Sequence, residues 1–114
     1  MAKKKAKPRS PFLGRWHIVS MSTWDESYFN VEAQAFIEFK EDTLGEFRFG
    51  YVRGDIDYRE GLRDGEPAVE WSWEGNDEMD EASGRGWALL RGGELHGLIA
   101  FHQGDESDFV AKRA

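Results

Sequence analysis

Eight stretches of this chain alternate apolar and polar residues with period two, and no window of comparable length carries a helical stripe. Period-two alternation is the mark of a strand with one buried face. Residues Gly14 to Ser22 set Trp16 and Ile18 on one parity. QAFIEFK sets Ala35, Ile37 and Phe39 against Glu38 and Lys40, and GEFRFGYVR sets Phe47, Phe49 and Tyr51 against Glu46 and Arg48. DIDYRE alternates Ile56 and Tyr58 with Asp57 and Arg59, while AVEWSWE places Val69, Trp71 and Trp73 opposite Glu70, Ser72 and Glu74. GRGWALLR offers Trp87 and Leu89, ELHGLIAFH is apolar on both parities, and DFVAKR puts Phe109, Ala111 and Arg113 on one side. One short helical turn is expected in WDESYFN, after the first strand.

The connections are of two kinds. EDTLG, RDGEP and RGGE are short and built from hairpin residues. TWDESYFNVEA, GNDEMDEASG and HQGDES are longer, and the short link around Arg53-Gly54-Asp55 falls with them by position. In an up-and-down meander alternate connections share an end, so one end is tightly stitched and the other carries the long loops. Eight antiparallel strands, each with a buried face, close into a barrel and so remove their edges. The fold class is therefore all-β, a single up-and-down eight-stranded antiparallel barrel, with an open sandwich of the same strands as the rival. At 114 residues the chain suits one domain. Its division is a disordered basic tail over residues 1–11 and a barrel over 12–114.

Because eight is even, the last strand runs antiparallel to the first and ends beside its start. Trp16 and Arg113 are then neighbours at the stitched end, a guanidinium lying on an indole, and Gly14 leaves room for the chain to bend beneath them. Gly14-Arg15-Trp16 on a first strand, with Arg113 on a last one, resembles the signature of the calycin barrels: the lipocalins, the fatty-acid-binding proteins and the avidins. The resemblance implies a tryptophan and an arginine packed across one end, and a ligand mouth at the other. The chain departs from the group in being shorter than most lipocalins and in lacking their disulfides and C-terminal helix. It also resembles small bacterial proteins with a GRW start and a GRGW…FH-x-GD-x-S end.

Charge narrows the partners. Lys3, Lys4, Lys5, Lys7 and Arg9 lie in the tail, leaving ten Lys and Arg against 22 Asp and Glu, or about −12, in the remainder. Such a domain repels nucleic acid and anionic membranes. With no cysteine the chain forms no disulfide and offers no thiolate. No secretory signal or membrane-length apolar run is present, and a cytoplasmic location is expected.

Two sets of side chains are candidates for function. Phe39, Phe47, Phe49, Tyr51, Tyr58, Trp71, Trp73 and Trp87 share the expected inward parity, and they either stack a planar ligand or fill the barrel; filling is the favoured reading, since an eight-stranded interior is narrow. The second set is acidic. Asp25, Glu26 and Glu32, then Asp77, Glu78, Asp80 and Glu81, then Asp105, Glu106 and Asp108 lie on three loops with no Lys or Arg. A barrel gathers them as a rim at one mouth, where they focus negative potential.

No metal site is expected. Calcium takes several carboxylates, but no EF-hand spacing is present, and His96 and His102 stand some 20 Å apart at about 3.3 Å per strand residue. His102 beside Asp105 and Asp108 forms at most a small acid–base cluster. No nucleophile has an evident base, and no cofactor motif sits in its required context. Three functions follow in order. The first is binding of a small neutral or cationic ligand at the barrel mouth, the second an interaction module whose acidic rim meets a basic protein partner, and the third an enzyme in the cavity.

Overall fold

The computed structural model describes residues 10–114. The strands are β1 (Gly14–Met21), β2 (Phe36–Phe39), β3 (Leu44–Phe49), β4 (Val52–Arg63), β5 (Glu66–Asp77), β6 (Asp80–Arg91), β7 (Glu94–Phe101) and β8 (Glu106–Arg113), with one helical turn, α1 (Glu26–Phe29), after β1. Each strand pairs antiparallel with the next, and β8 returns to β1, so the sheet is a closed up-and-down barrel. Of the basic tail, residues 1–9 lie outside the described residues. Ser10 and Pro11 make hydrogen bonds at the barrel end, to the Phe12 N–H and the Arg113 guanidinium respectively.

The core follows from the alternation. Ile56 and Tyr58 of β4 sit opposite Trp73 and Trp71 of β5, all four buried, while Asp55, Asp57, Ser72 and Glu74 between them face out. The rings form two clusters. Toward the long-loop end Phe47 and Phe49 stack at 5.8 Å, and Trp73 meets Phe47 and Phe101 edge-on at 5.0 and 5.1 Å. Toward the stitched end Phe39 meets Tyr58 and Trp71 edge-on at 5.0 and 5.7 Å. Edge-to-face pairs of this kind add about 0.5–1.5 kcal/mol beyond their burial.

Both ends are plugged. At the stitched end Phe12 packs on Phe39, and the Trp16 indole N–H donates to the Phe12 carbonyl at 2.9 Å. At the other end the β1–β2 loop folds inward: Phe29 of α1 is 2% exposed, and Trp24 lies 5.1 Å from the Phe49 ring centre. The loop is tied down where it leaves β1, with the Thr23 N–H donating to the buried Ser107 hydroxyl and the Asp108 N–H donating to Ser22.

Three expectations are corrected. Tyr51 is not inward; β3 ends at Phe49, and Gly50 at φ +57° turns the chain so that Tyr51 sits on the β3–β4 turn, 39% exposed, against Tyr28. Trp87 is not inward either. In β6 it is Gly86 and Ala88 that are fully buried, and Trp87 lies half-buried opposite the outward Glu70, under the Arg63 guanidinium at 4.0 Å. Lastly, GNDEMDEASG is no long loop. Strands β5 and β6 run through it, Asp77 pairs with Asp80, and only Glu78 and Met79 form the turn, with Glu78 at φ +56°.

Candidate functional site

Most of the rings expected to line a cavity are buried and pack on one another. Phe39, Phe49, Tyr58, Trp71 and Trp73 of the expected cavity set are all 4% exposed or less, in contact with one another or with further rings. Tyr58 donates its hydroxyl to the Lys40 carbonyl at 2.6 Å, and Trp73 donates its indole N–H to the Ala100 carbonyl at 3.2 Å. Among the described residues the Trp71 Nε1 is the one buried side-chain polar atom without a partner. These rings are a packed core.

A large concavity lies outside the barrel, at the long-loop end. It is an open cleft of about 800 Å³ between the β5–β6 hairpin and the β7–β8 turn, with Trp24 of the plugging loop beside it. Glu74, Asp77, Glu81 and Asp105 line it together with Ser83 and His102, and no Lys or Arg does. Local structure explains the convergence. Glu74 faces out from β5 directly opposite Ser83 of β6, and the Ser83 carbonyl accepts from the His102 N–H at 2.7 Å. The β7–β8 turn closes on itself through the Phe101 N–H to the Asp105 carbonyl at 2.8 Å, which brings Asp105 beside this row. Trp24 and Phe101 are both half-buried and line the same cleft.

The expected rim therefore divides. Asp77, Glu81 and Asp105 share the cleft, joined by Glu74 from the outward face of β5. Glu78 and Glu32 lie instead around Tyr51 with Arg48 and Arg53, and Arg48 pairs with Glu32 at 3.6 Å, so that part of the rim is neutralised. Asp25 is the N-cap of α1. It accepts from the Ser27 hydroxyl at 2.6 Å and from the Tyr28 N–H at 3.2 Å, and these two bonds hold its carboxyl below the ordinary value of 3.8. Glu26 adds negative charge to the first turn of α1, Asp80 closes the β5–β6 turn opposite Asp77, and Glu106 and Asp108 face out from β8.

The signature residues of the opening motif sit at the other end. Trp16 is opposite Arg113 in the β1–β8 ladder, the guanidinium 3.9 Å from the ring centre, and Gly14 at φ +110° lies against the same guanidinium. His17 stands opposite Lys112, and His96 lies 3.2 Å from Glu94, both remote from His102 along the strands. Among the described residues no three His, Cys, Asp or Glu side chains stand close enough to hold a metal ion, and no helix is long and apolar enough to cross a membrane.

Sequence reasoning missed Glu74, Trp24 and Phe101 as cleft residues. The signal was there for Trp24, a tryptophan in an otherwise polar loop, which a solvated loop would not carry. No family model matches the chain, and neither a curated protein nor a solved structure was found to match it.

Proposed function

We propose that this protein is a binding module that takes a cationic group, presented by a basic protein partner, in the cleft at the long-loop end of the barrel. The observation that carries the reading is the lining: four carboxylates and two half-buried rings in one open cleft, with no Lys or Arg among them. In a domain of about −12 outside its first nine residues, this concentrates negative potential where a cation also finds apolar contact. The open shape favours a protruding side chain of a partner, because small-molecule sites bury most of their ligand. The filled core moves weight from a ligand held inside the barrel, the mode that the calycin resemblance implies, to recognition on the outer surface.

The test is calorimetric titration of the whole chain with a short lysine-rich peptide at low and at high salt. Binding that weakens as salt rises, and that vanishes when Glu74→Gln, Asp77→Asn, Glu81→Gln and Asp105→Asn are combined, supports the reading. Undiminished binding to that variant places the cation elsewhere and overturns it. The exposed carboxylates act over a screening length of about 10 Å at 0.1 M salt, so the salt response should be steep.

A further inference from the structure

The two rings in the cleft stand in a particular relation. Trp24 and Phe101 have their centres 6.2 Å apart and their planes at 69°, so they make a corner rather than a stack. Each is held from behind. Trp24 packs on Phe49 at 5.1 Å, and Phe101 meets Trp73 edge-on at 5.1 Å, which fixes the angle from the barrel core. Both keep part of their surface on the cleft, whose wall carries Glu74, Asp77, Glu81 and Asp105.

We infer that this corner selects a methylated ammonium group, of the kind a trimethyl-lysine side chain or a free quaternary ammonium presents, over a plain ammonium. The inference rests on the reading of the cleft as a cation site. A primary ammonium is strongly hydrated and carries three N–H donors, each of which must find an acceptor when it leaves water. The ring faces supply none. Methylation removes the donors, spreads the charge over carbon and lets the group lie on both faces at once, where the ring quadrupole attracts it. The carboxylates then act by charge alone, which needs no donor geometry. Acidic walls by themselves would favour plain lysine, so the methyl preference reports the corner and not the charge.

The experiment titrates the full chain with three peptides that differ at one side chain: lysine, trimethyl-lysine and the neutral carbon isostere of trimethyl-lysine. Tetramethylammonium chloride forms a fourth arm. The trimethyl-lysine peptide should bind about 2- to 5-fold more tightly than the lysine peptide, the size of an exposed cation–π contact, and the neutral isostere should bind least. Trp24→Leu keeps an apolar side chain over Phe49 but removes the ring quadrupole; it should bring the trimethyl-lysine to lysine affinity ratio down to about one, whatever it does to the lysine-peptide affinity itself. Tetramethylammonium binding as tight as the trimethyl-lysine peptide identifies a free cation as the occupant, and much weaker binding identifies a side chain on a partner. Equal affinity for lysine and trimethyl-lysine overturns the inference and leaves the cation site standing. Failure of every cation to bind overturns both.

Discussion

Arg113 lays its guanidinium 3.9 Å from the centre of the Trp16 ring, from the strand position directly opposite it, and donates to the carbonyls of Leu13 and Pro11 as well. Three contacts thus bind the last strand to the first at the point where the barrel closes. Partial desolvation holds the guanidinium below its ordinary pKa. Lys112, one residue earlier, makes only a surface ion pair with Glu94 at 3.4 Å. Such pairs contribute about 0–1 kcal/mol.

Arg113→Ala should therefore destabilise the domain by about 1–2 kcal/mol, combining an exposed cation–π contact with lost hydrogen bonds. Lys112→Ala should cost less than about 1 kcal/mol. For a domain near 100 residues the first change lowers Tm by roughly 5–10 °C. Thermal melts of the two variants check this, and equal Tm values would remove the closing role of Arg113.

Gly14→Ala should destabilise for two reasons that can be separated. A Cβ at Gly14 would stand 3.0 Å from the Arg113 Nη1, and its φ of +110° strains any L side chain. The steric part disappears when Arg113 is truncated, whereas the backbone part, of order 1–3 kcal/mol, remains. The Gly14→Ala, Arg113→Ala double variant should lose less stability than the sum of the singles, measured by urea denaturation. Strict additivity would mean that the guanidinium swings aside without cost.

Trp71→Phe should be tolerated better than Trp73→Phe. Both shrink a buried indole, but Trp73 Nε1 donates to the Ala100 carbonyl at 3.2 Å, while Trp71 Nε1 has no partner. Removing a buried donor that bonds nothing forfeits no hydrogen bond, whereas losing the Trp73 bond costs about 1 kcal/mol. Denaturant midpoints with matched slopes read the difference directly. A larger loss for Trp71→Phe would point to an acceptor reaching that nitrogen inside the barrel.

The barrel was legible because a buried face demands alternation, and Trp71 with Trp73, or Phe47 with Phe49, displays it without ambiguity. Trp87 misled for a physical reason. The inward slot beside it is Gly86, left empty so that the Trp71 ring can lie across it. The largest residue of that stretch therefore points out. Tyr51 misled because Gly50 turns the chain at positive φ and ends the parity count. The run GNDEMDEASG reads as solvated loop because carboxylates disfavour burial. It forms strand here because β5 and β6 extend past the packed core, where both faces meet water: Glu81 on the outward face and Asp80 on the inward one are exposed. The cleft was half legible. Asp77, Glu81 and Asp105 stand out as carboxylates in acidic runs, but the aromatic corner joins the β1–β2 loop to the end of β7, a contact no spacing along the chain encodes.

The helical turn that plugs the long-loop end should loosen in acid. Asp25 is lowered by its bonds from Ser27 and Tyr28, so its capping is complete above its ordinary value of 3.8 and is lost as pH falls through the lowered folded value. Amide protection factors at Tyr28 and Phe29, taken against the intrinsic rate at each pH, should fall over that interval. Asn caps helices as well as Asp does and does not titrate, so Asp25→Asn should flatten the response. An unchanged pH profile in that variant would assign the loosening to other carboxylates.

The five tryptophans provide the most direct test of the account as a whole, since each stands in a different place. Trp24 lines the cleft, Trp16, Trp71 and Trp73 are buried, and Trp87 lies on the outer face beneath Arg63. Their indole N–H resonances, followed by NMR while a trimethyl-lysine peptide is added at low salt, report which surface is at work. The account predicts a progressive shift of the Trp24 resonance, reversed as salt is raised, with the other four nearly still. A shift led by Trp71 or Trp73 would mean that the ligand enters the barrel, a shift led by Trp87 would move the site to the outer face, and either would contradict it.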